Sequence, residues 1–360
     1  RNAVVFMLVL MVALGGAAGF LGEDRPGGPG LSQDERAQVL GVELRTIHIY
    51  AGQSIAAALA NASAGDTYVV HTGSYPVVEV TSRKWTTPVR LTAAPGESVT
   101  IAGLRLTSVS NLEVRGTKIT SNTVVNGGGL VHIAGNELAG VNILNKANGV
   151  TVADNKISAE LDVKSGSHHV TVMGNTITGG FRNISLYGGM GAPATWIHDI
   201  LLSKNVLVGA TSDAVQITGA RQVTIEKNII RDPVDNANHN DGVQSTASDD
   251  LRIIGNLFTA PGAANGDQGI ILSPNGQNQY MTVTDTLVAN NLIHHWRGSG
   301  ITVTNTTNTS IVNNTSYDNG EPGRAFPGLH VAAQAGALHN ARVWNNALSS
   351  ITYVSGSPRP

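Results

Sequence analysis

The feature that most limits what this chain can fold into is an asparagine that keeps returning to one corner of a repeated unit. It stands at positions 136, 155, 175, 205, 228, 256, 291, 314 and 346. Each copy follows an alternating strand and a small or polar corner, and precedes a second short strand. "VTVADNKI" from Val150, "VTVMGNTI" from Val170, "VTIEKNII" from Val223 and "LRIIGNLF" from Leu251 superpose directly, and "LEVRGTKI" from Leu112 carries Thr117 in the Asn slot. Spacings near 20 that later stretch to about 30 suit the coils of a solenoid, with the extra residues placed in loops. An Asn at a constant corner can bond amide to amide along the axis, as in other in-register Asn stacks. A sandwich has no need of the same corner residue nine times, and a leucine-rich repeat would show a Leu skeleton instead of Val, Ile and Asn.

Composition agrees and removes some functions. Forty-two glycines and 4% aromatics in 360 residues suggest short strands and tight turns. A net charge of −2 gives no global field for nucleic acid or a membrane surface. Cysteine is absent, so export is open only to a fold that needs no disulfides.

Export is nonetheless the expectation. "AVVFMLVLMVAL" (Ala3–Leu14) is an unbroken apolar run followed by "GGAAG", which reads over 1–22 as a signal peptide or membrane anchor. The run is shorter than the ~20 residues of a usual membrane span, although counting through Leu21 makes it long enough for one anchor. Residues 23–44, rich in Gly, Pro and charge, read as a linker. The repeated domain is expected over 45–360, secreted or held at the cell surface, with any membrane contact confined to that anchor.

The repeats resemble the right-handed parallel β-helix proteins of the pectate-lyase-like superfamily, over roughly residues 48–350. "GQSIAAALANASAGDTYVVHTGSYP" (Gly52–Pro76) is similar to that superfamily's opening, a short helix capping the first coil and then a strand. The resemblance implies an all-β, right-handed parallel β-helix of about ten coils at a strand spacing of about 4.8 Å, with an N-terminal capping helix and an Asn ladder between the second and third sheets.

The strand that opens each coil gives a second alignment. "FRNISLY", "SDAVQIT", "NDGVQST", "DQGIILS" and "GSGITVT" superpose, and period 2 places Ile184, Val215, Val243, Ile270 and Ile301 inside. Outward positions then form columns. One holds Arg182, Asp213, Asp241, Gln268 and Ser299; the next holds Asp162, Ser185, Gln216, Gln244, Ile271 and Thr302; the third holds Lys164, Tyr187, Thr218, Thr246 and Ser273. Long connections at Gly188–Asp199, Arg231–Asn240, Thr259–Asp267 and Pro274–Asp285 surround the coils of Asp213 and Asp241, predicting a walled trough with both carboxylates on its floor.

Two carboxylates one coil apart cannot both stay charged at low cost. They can share a proton, pair with Arg182 and Arg231, or bind Ca²⁺ through Asp213, Asp241 and Asp235. His239, two residues before Asp241, suits a general base. Arg182, Gln216, Gln244, Tyr187, Lys164, Gln268 and Arg231 are candidate substrate contacts. Each also has an ordinary reading as a turn aspartate, a glutamine stack, a loop histidine or a solvated face. The pairs His168–His169 and His294–His295 are adjacent, so in a strand their rings point opposite ways and make a poor metal site.

His-x-Asp-Gly-Val-Gln at His239–Gln244, followed by Gln268–Gly269–Ile270, is similar to a group of exported bacterial β-helix proteins linked to polysaccharides. "TWIHD" (Thr195–Asp199) resembles a pectate-lyase run with its last two letters exchanged, but no Arg-x-Pro-x-x-Arg follows, and polygalacturonase elements are missing. The resemblance implies a carbohydrate-active enzyme that cleaves or epimerises a uronate-containing polysaccharide by β-elimination chemistry, as a monomer or homotrimer. The alternatives are a glycoside hydrolase using the Asp213/Asp241 pair, and a non-catalytic carbohydrate-binding or tailspike-like surface protein.

Overall fold

A computed structural model describes residues 44–234, 238–260, 267–274, 276, 279–321, 324–334 and 338–356. The expected signal or anchor, all of the linker but its last residue, and Asp235 lie outside the described residues. Residues 45–360 form one compact unit. Among the described residues no helix is long and apolar enough to cross a membrane.

The unit is a parallel β-helix with three faces. Coil after coil, a strand on the first face pairs in parallel with its counterpart above and below: Leu161–Lys164 with Ile184–Tyr187, and that strand with the start of Val215–Glu226. The second face stacks Asn148–Ala153, His168–Met173 and Ile197–Ser203 in the same manner. The third face is a separate sheet of twelve short strands in sequence order, Glu137–Leu138 and Lys156–Ile157 among them. The first two faces merge into one sheet of 21 strands. Four strands of 12 residues run through both: Leu104–Arg115, Thr123–Ala134, Val215–Glu226 and Val243–Ile254.

Inside, the period-2 pattern builds one continuous apolar core. Ile184, Val215, Val243, Ile270 and Ile301 line up in register and are fully buried. A strand at Thr46–Ile49 precedes a short helix, Ile55–Ala60, whose N-terminus is capped by Ser54 Oγ accepting from the Ala57 N–H. The helix buries Ile55 and Leu59 in that core.

The Asn corner lies between the second and third faces. Asn155 Oδ1 accepts both the backbone N–H and the side-chain amide of Asn136, at 2.9 and 3.1 Å. The same pair of bonds continues through Asn175, Asn205, Asn228, Asn256, Asn291, Asn314 and Asn346. Thr117 joins below Asn136, its N–H and hydroxyl both donating to Asn136 Oδ1. Each amide also donates to a carbonyl of an earlier coil, as Asn205 does to Val172 O. Buried polar groups at this corner are thereby satisfied without water.

Candidate functional site

The site grows from the residue pair that opens the first-face strand. Gly242 follows Asp241 because no side chain fits there: a Cβ would lie 2.3 Å from Gly269 O and 2.7 Å from the Phe258 ring. This close approach seats Asp241 against the next coil. Asp241 Oδ1 accepts the Gln268 N–H at 2.9 Å, and Asp213 Oδ1 accepts the Asp241 N–H at 3.2 Å. Asp213, Asp241 and Gln268 do form one column.

The expected trough floor is different in one respect. Asp213 is 2% exposed and Asp241 1%. The carboxylates are beneath the surface, turned toward backbone N–H groups of the neighbouring coil, so alternation along the strand did not predict their exposure. His239 is the outer member of the group. Its Nδ1 lies 2.8 Å from Asp241 Oδ2, and its side chain is half exposed. Nε2 is 3.9 Å from Asp267 Oδ2. Gln244 Nε2 donates to Asp241 Oδ2 at 3.3 Å, Gln216 Nε2 to Gln244 Oε1 at 2.8 Å, and Arg182 Nε to Gln216 Oε1 at 3.2 Å. A hydrogen-bonded chain of four coils therefore runs from Arg182 to the Gln268 N–H.

Electrostatics follow from that packing. Burial pushes the Asp213 carboxyl up to about 7, with Asp241 adding repulsion and the Asp241 N–H, Arg182 and His239 opposing. The hydrogen bond to Asp241 raises His239 to about 9, against partial burial. Burial also raises Asp241, opposed first by its bond with His239. At neutral pH the imidazole therefore holds its proton, and a base role near neutrality, as expected from the sequence, moves to alkaline pH.

Other candidates fall elsewhere. The Gln216–Gln244 column holds as predicted, with Ser185 and Asp162 preceding and Ile271 and Thr302 following. The Lys164–Tyr187–Thr218 column breaks at a bulge, where Thr218 pairs with Ala247 instead of Thr246, although the two threonine hydroxyls still meet at 2.8 Å. Lys164 is paired with Asp162 at 2.8 Å, and Tyr187 is exposed at the strand end. Arg231 stands on the third face with Asp232 as its ion partner, so it does not neutralise the aspartate pair. Gln268 Oε1 is buried without a partner among the described residues. Asp267, held by Arg297 at 2.8 Å, joins the site although the sequence reading passed over it; its signal was the place of Asp267 in the column of Asn240. The long turns around 188–196 and 279–282 do not simply wall the ends: Trp196, Met281 and Ala247 share a small apolar cluster at the bulge.

Calcium fits this group poorly. Ligand atoms of Asp213, His239 and Asp241 lie within 4.8 Å of one another. Ca²⁺ takes six to eight oxygens. Here one member offers nitrogen, both Oδ1 atoms accept backbone N–H groups, and Asp241 Oδ2 already faces His239.

Both histidine pairs also depart from the strand expectation. His169 and His295 adopt left-handed backbone, φ 51° and 63°, which turns each ring back toward its neighbour. Ring centroids are 5.1 Å apart for His168–His169 and 4.7 Å for His294–His295.

Comparison with known proteins identifies the architecture. Residues 194–359 match the family described as a right handed beta helix region. No curated protein sequence matches the chain significantly. Among solved structures, the surface adhesin PfbA of Streptococcus pneumoniae superposes with a TM-score of 0.56 at 12% identity, covering 84% of this chain and 87% of that one. XylC in complex with xylose gives 0.53 at 10% identity, covering 88% and 86%. An alginate lyase from a Paenibacillus strain gives 0.44 at 14% identity, covering 87% and 98%. At such identities the likeness is one of fold: the chain is a right-handed parallel β-helix.

Proposed function

We propose that this β-helix is an exported enzyme acting on a uronate-containing polysaccharide, with His239 as the group that meets the substrate. The observation that carries the reading is the dyad itself: a half-exposed imidazole whose Nδ1 is held at 2.8 Å by a fully buried carboxylate. Such an arrangement fixes the ring, directs Nε2 outward and stabilises the imidazolium once a proton arrives. Asp213 and Asp241 act through His239 by position and charge.

The chemistry suited to it is β-elimination. Deprotonated His239 takes the proton at C5 of the uronate, the C5–H electrons form the C4–C5 double bond, and the C4–O bond breaks. The departing oxygen takes the proton from Nε2, and the imidazole returns to its neutral state. Arg182 offers the positive charge that a uronate carboxylate needs: among the described residues its Nε donates to Gln216 and its guanidinium lies over the Phe181 ring. The step as drawn uses no calcium. Burial of both aspartates counts against the hydrolase, whose two carboxyls must each reach the glycosidic bond or its water.

Digestion of a panel of polyuronates and neutral polysaccharides tests the proposal. Ultraviolet absorbance of an unsaturated uronate product, lost in His239→Gln, is the expected result. New reducing ends without that absorbance would indicate hydrolysis. Deuterium uptake at C5 without chain cleavage would indicate epimerisation, and binding without turnover a surface adhesin.

A further inference from the structure

One row on the second face contains a cation with no counter-charge among the described residues. Asn148, His168, His198, Arg221, Asp249 and Thr284 stand in register on successive coils. The rings of His168 and His198 stack with centroids 4.7 Å apart and planes inclined by 17°. Arg221 comes next and is half-buried; its Nε is buried and has no hydrogen-bond partner among the described residues. None of their carboxylates comes within ion-pair distance of it. Asp249, its neighbour on the following coil, is engaged on the far side, where Asp249 Oδ1 accepts the Thr284 hydroxyl at 2.7 Å. On the near side His198 Nδ1 lies 2.7 Å from Asp199 Oδ2, which leaves Nε2 for another partner.

We propose that Arg221 and His198, with His168 stacked behind them, form a binding site for an oxyanion group: a carboxylate, sulfate or phosphate. A guanidinium drawn partly out of water is costly unless an opposite charge compensates it, and native structures leave few such groups unpaired. Its planar fork of N–H donors matches the oxygens of these anions. Because Nε is covered, the terminal nitrogens are the ones that meet the ligand. His198 in its imidazolium form adds a second donor, since Asp199 holds Nδ1–H and Nε2–H points elsewhere. His168 Nδ1 faces Gly166 O at 3.2 Å, and its ring supports that of His198. Two carboxylates oppose an anion here, and both are already engaged. Asp199 Oδ2 lies 2.7 Å from His198 and 3.5 Å from His169, and Asp249 is bonded to Thr284.

The inference is independent of the proton-transfer reading, which concerns the first face. The test is titration of the full chain with sodium sulfate, sodium phosphate and sodium glucuronate, each against sodium chloride at equal ionic strength, read by calorimetry and melting temperature. A saturable equivalent that raises the melting temperature is expected. Saturation by glucuronate alone would assign the site to an acidic saccharide, and saturation by sulfate or phosphate to an inorganic oxyanion or its ester; either supports the site. Arg221→Gln is expected to weaken binding by roughly ten-fold or more, and His198→Gln to weaken it as well. Without the anion, Arg221→Gln should melt no lower than the wild type, because it sheds an uncompensated cation; with saturating anion the order should reverse. In His239→Gln the equivalent is expected to remain. No saturable binding of any of the three probes, undiminished binding in Arg221→Gln or in His198→Gln, a lower melting temperature of Arg221→Gln both with and without anion, or loss of the equivalent in His239→Gln would each overturn the proposal.

Discussion

Asp213 Oδ1 accepts the backbone N–H of Asp241 at 3.2 Å, so one carboxylate of the candidate site is also a brace between two coils. Asp241 repeats the relationship with the Gln268 N–H. Each side chain thus spends one oxygen on the backbone and keeps one for other partners. Replacing either by Ala would remove a buried acceptor along with a charge, mixing two effects that Asn separates.

Asp213→Asn keeps the acceptor and removes the titration. The folded-state pKa of Asp213 is raised from 3.8 to about 7. A carboxyl raised on folding is neutral at no penalty below the lower value, and stability is lost as pH rises through the window between them. The variant is expected to match the wild type near pH 4 and to exceed it above pH 7, by on the order of 4 kcal/mol. Chemical denaturation across that range checks it; a constant difference at all pH values would remove the buried-charge account.

His239→Gln tests the dyad. His239 is raised from 6.5 to about 9, so its contribution is present below 6.5 and lost as pH passes the upper value. The stability lost by the variant should be largest below about pH 6.5, shrink as pH rises and vanish above about 9. If His239 is the base, wild-type kcat/KM should rise with pH through the same upper value, while the variant shows no such limb.

Asn205→Ala should destabilise far more than Asn346→Ala. Asn205 Oδ1 receives two bonds from Asn175, and its amide reaches Val172 O and Asn228 Oδ1. Removing the side chain strands buried groups on both sides, at roughly 1–3 kcal/mol each. Asn346 has no further rung above it among the described residues, so less is stranded there. Similar losses at both positions in urea melts would show that the column does not carry stability in this manner.

The ladder and the inward column were legible because their signals are periodic: an Asn at one corner and apolar residues at every second place. The carboxylate column was legible as a column. Its burial was not, because alternation says which face a residue takes but not that a preceding turn folds it under the neighbouring coil. Arg231 was misplaced since one turn's length decided whether it belonged to the first face or the third. The His168–His169 patch was hidden by assuming an unbroken strand, where one left-handed residue reverses the rule. Asp267 was passed over because its alignment with Asn240 disguised a carboxylate as a turn residue.

Gly242→Ala should be among the most damaging single-methyl changes in the chain. The added carbon would approach Gly269 O and the Phe258 ring well inside contact distance, with backbone on one side unable to yield. A loss of several kcal/mol is expected, on the order of 3, together with loss of the dyad's geometry. Gly276→Ala, with open space around its Cβ but a left-handed φ of 66°, should cost only about 1 kcal/mol. Comparable melting temperatures for the two variants would show that the coil can shift to make room.

Chelation tests whether an ion serves the first-face site. EDTA is expected to leave turnover on a polyuronate unchanged, because calcium has too few oxygen donors among the described residues at Asp213 and Asp241. A rate that falls with EDTA and returns with Ca²⁺ would place an ion at the first-face site after all.

Successive asparagines are separated by as few as 19 residues and as many as 35, yet the amide bonds linking them stay between 2.9 and 3.1 Å. Contour length and axial pitch are therefore decoupled. A coil can gain or lose a dozen residues between strands without moving its neighbours along the axis, so such a scaffold can be refitted for a new ligand by editing one loop at a time. For the evolution of this chain, and for anyone grafting onto it, the corner amides act as a ruler and the connections as exchangeable fittings.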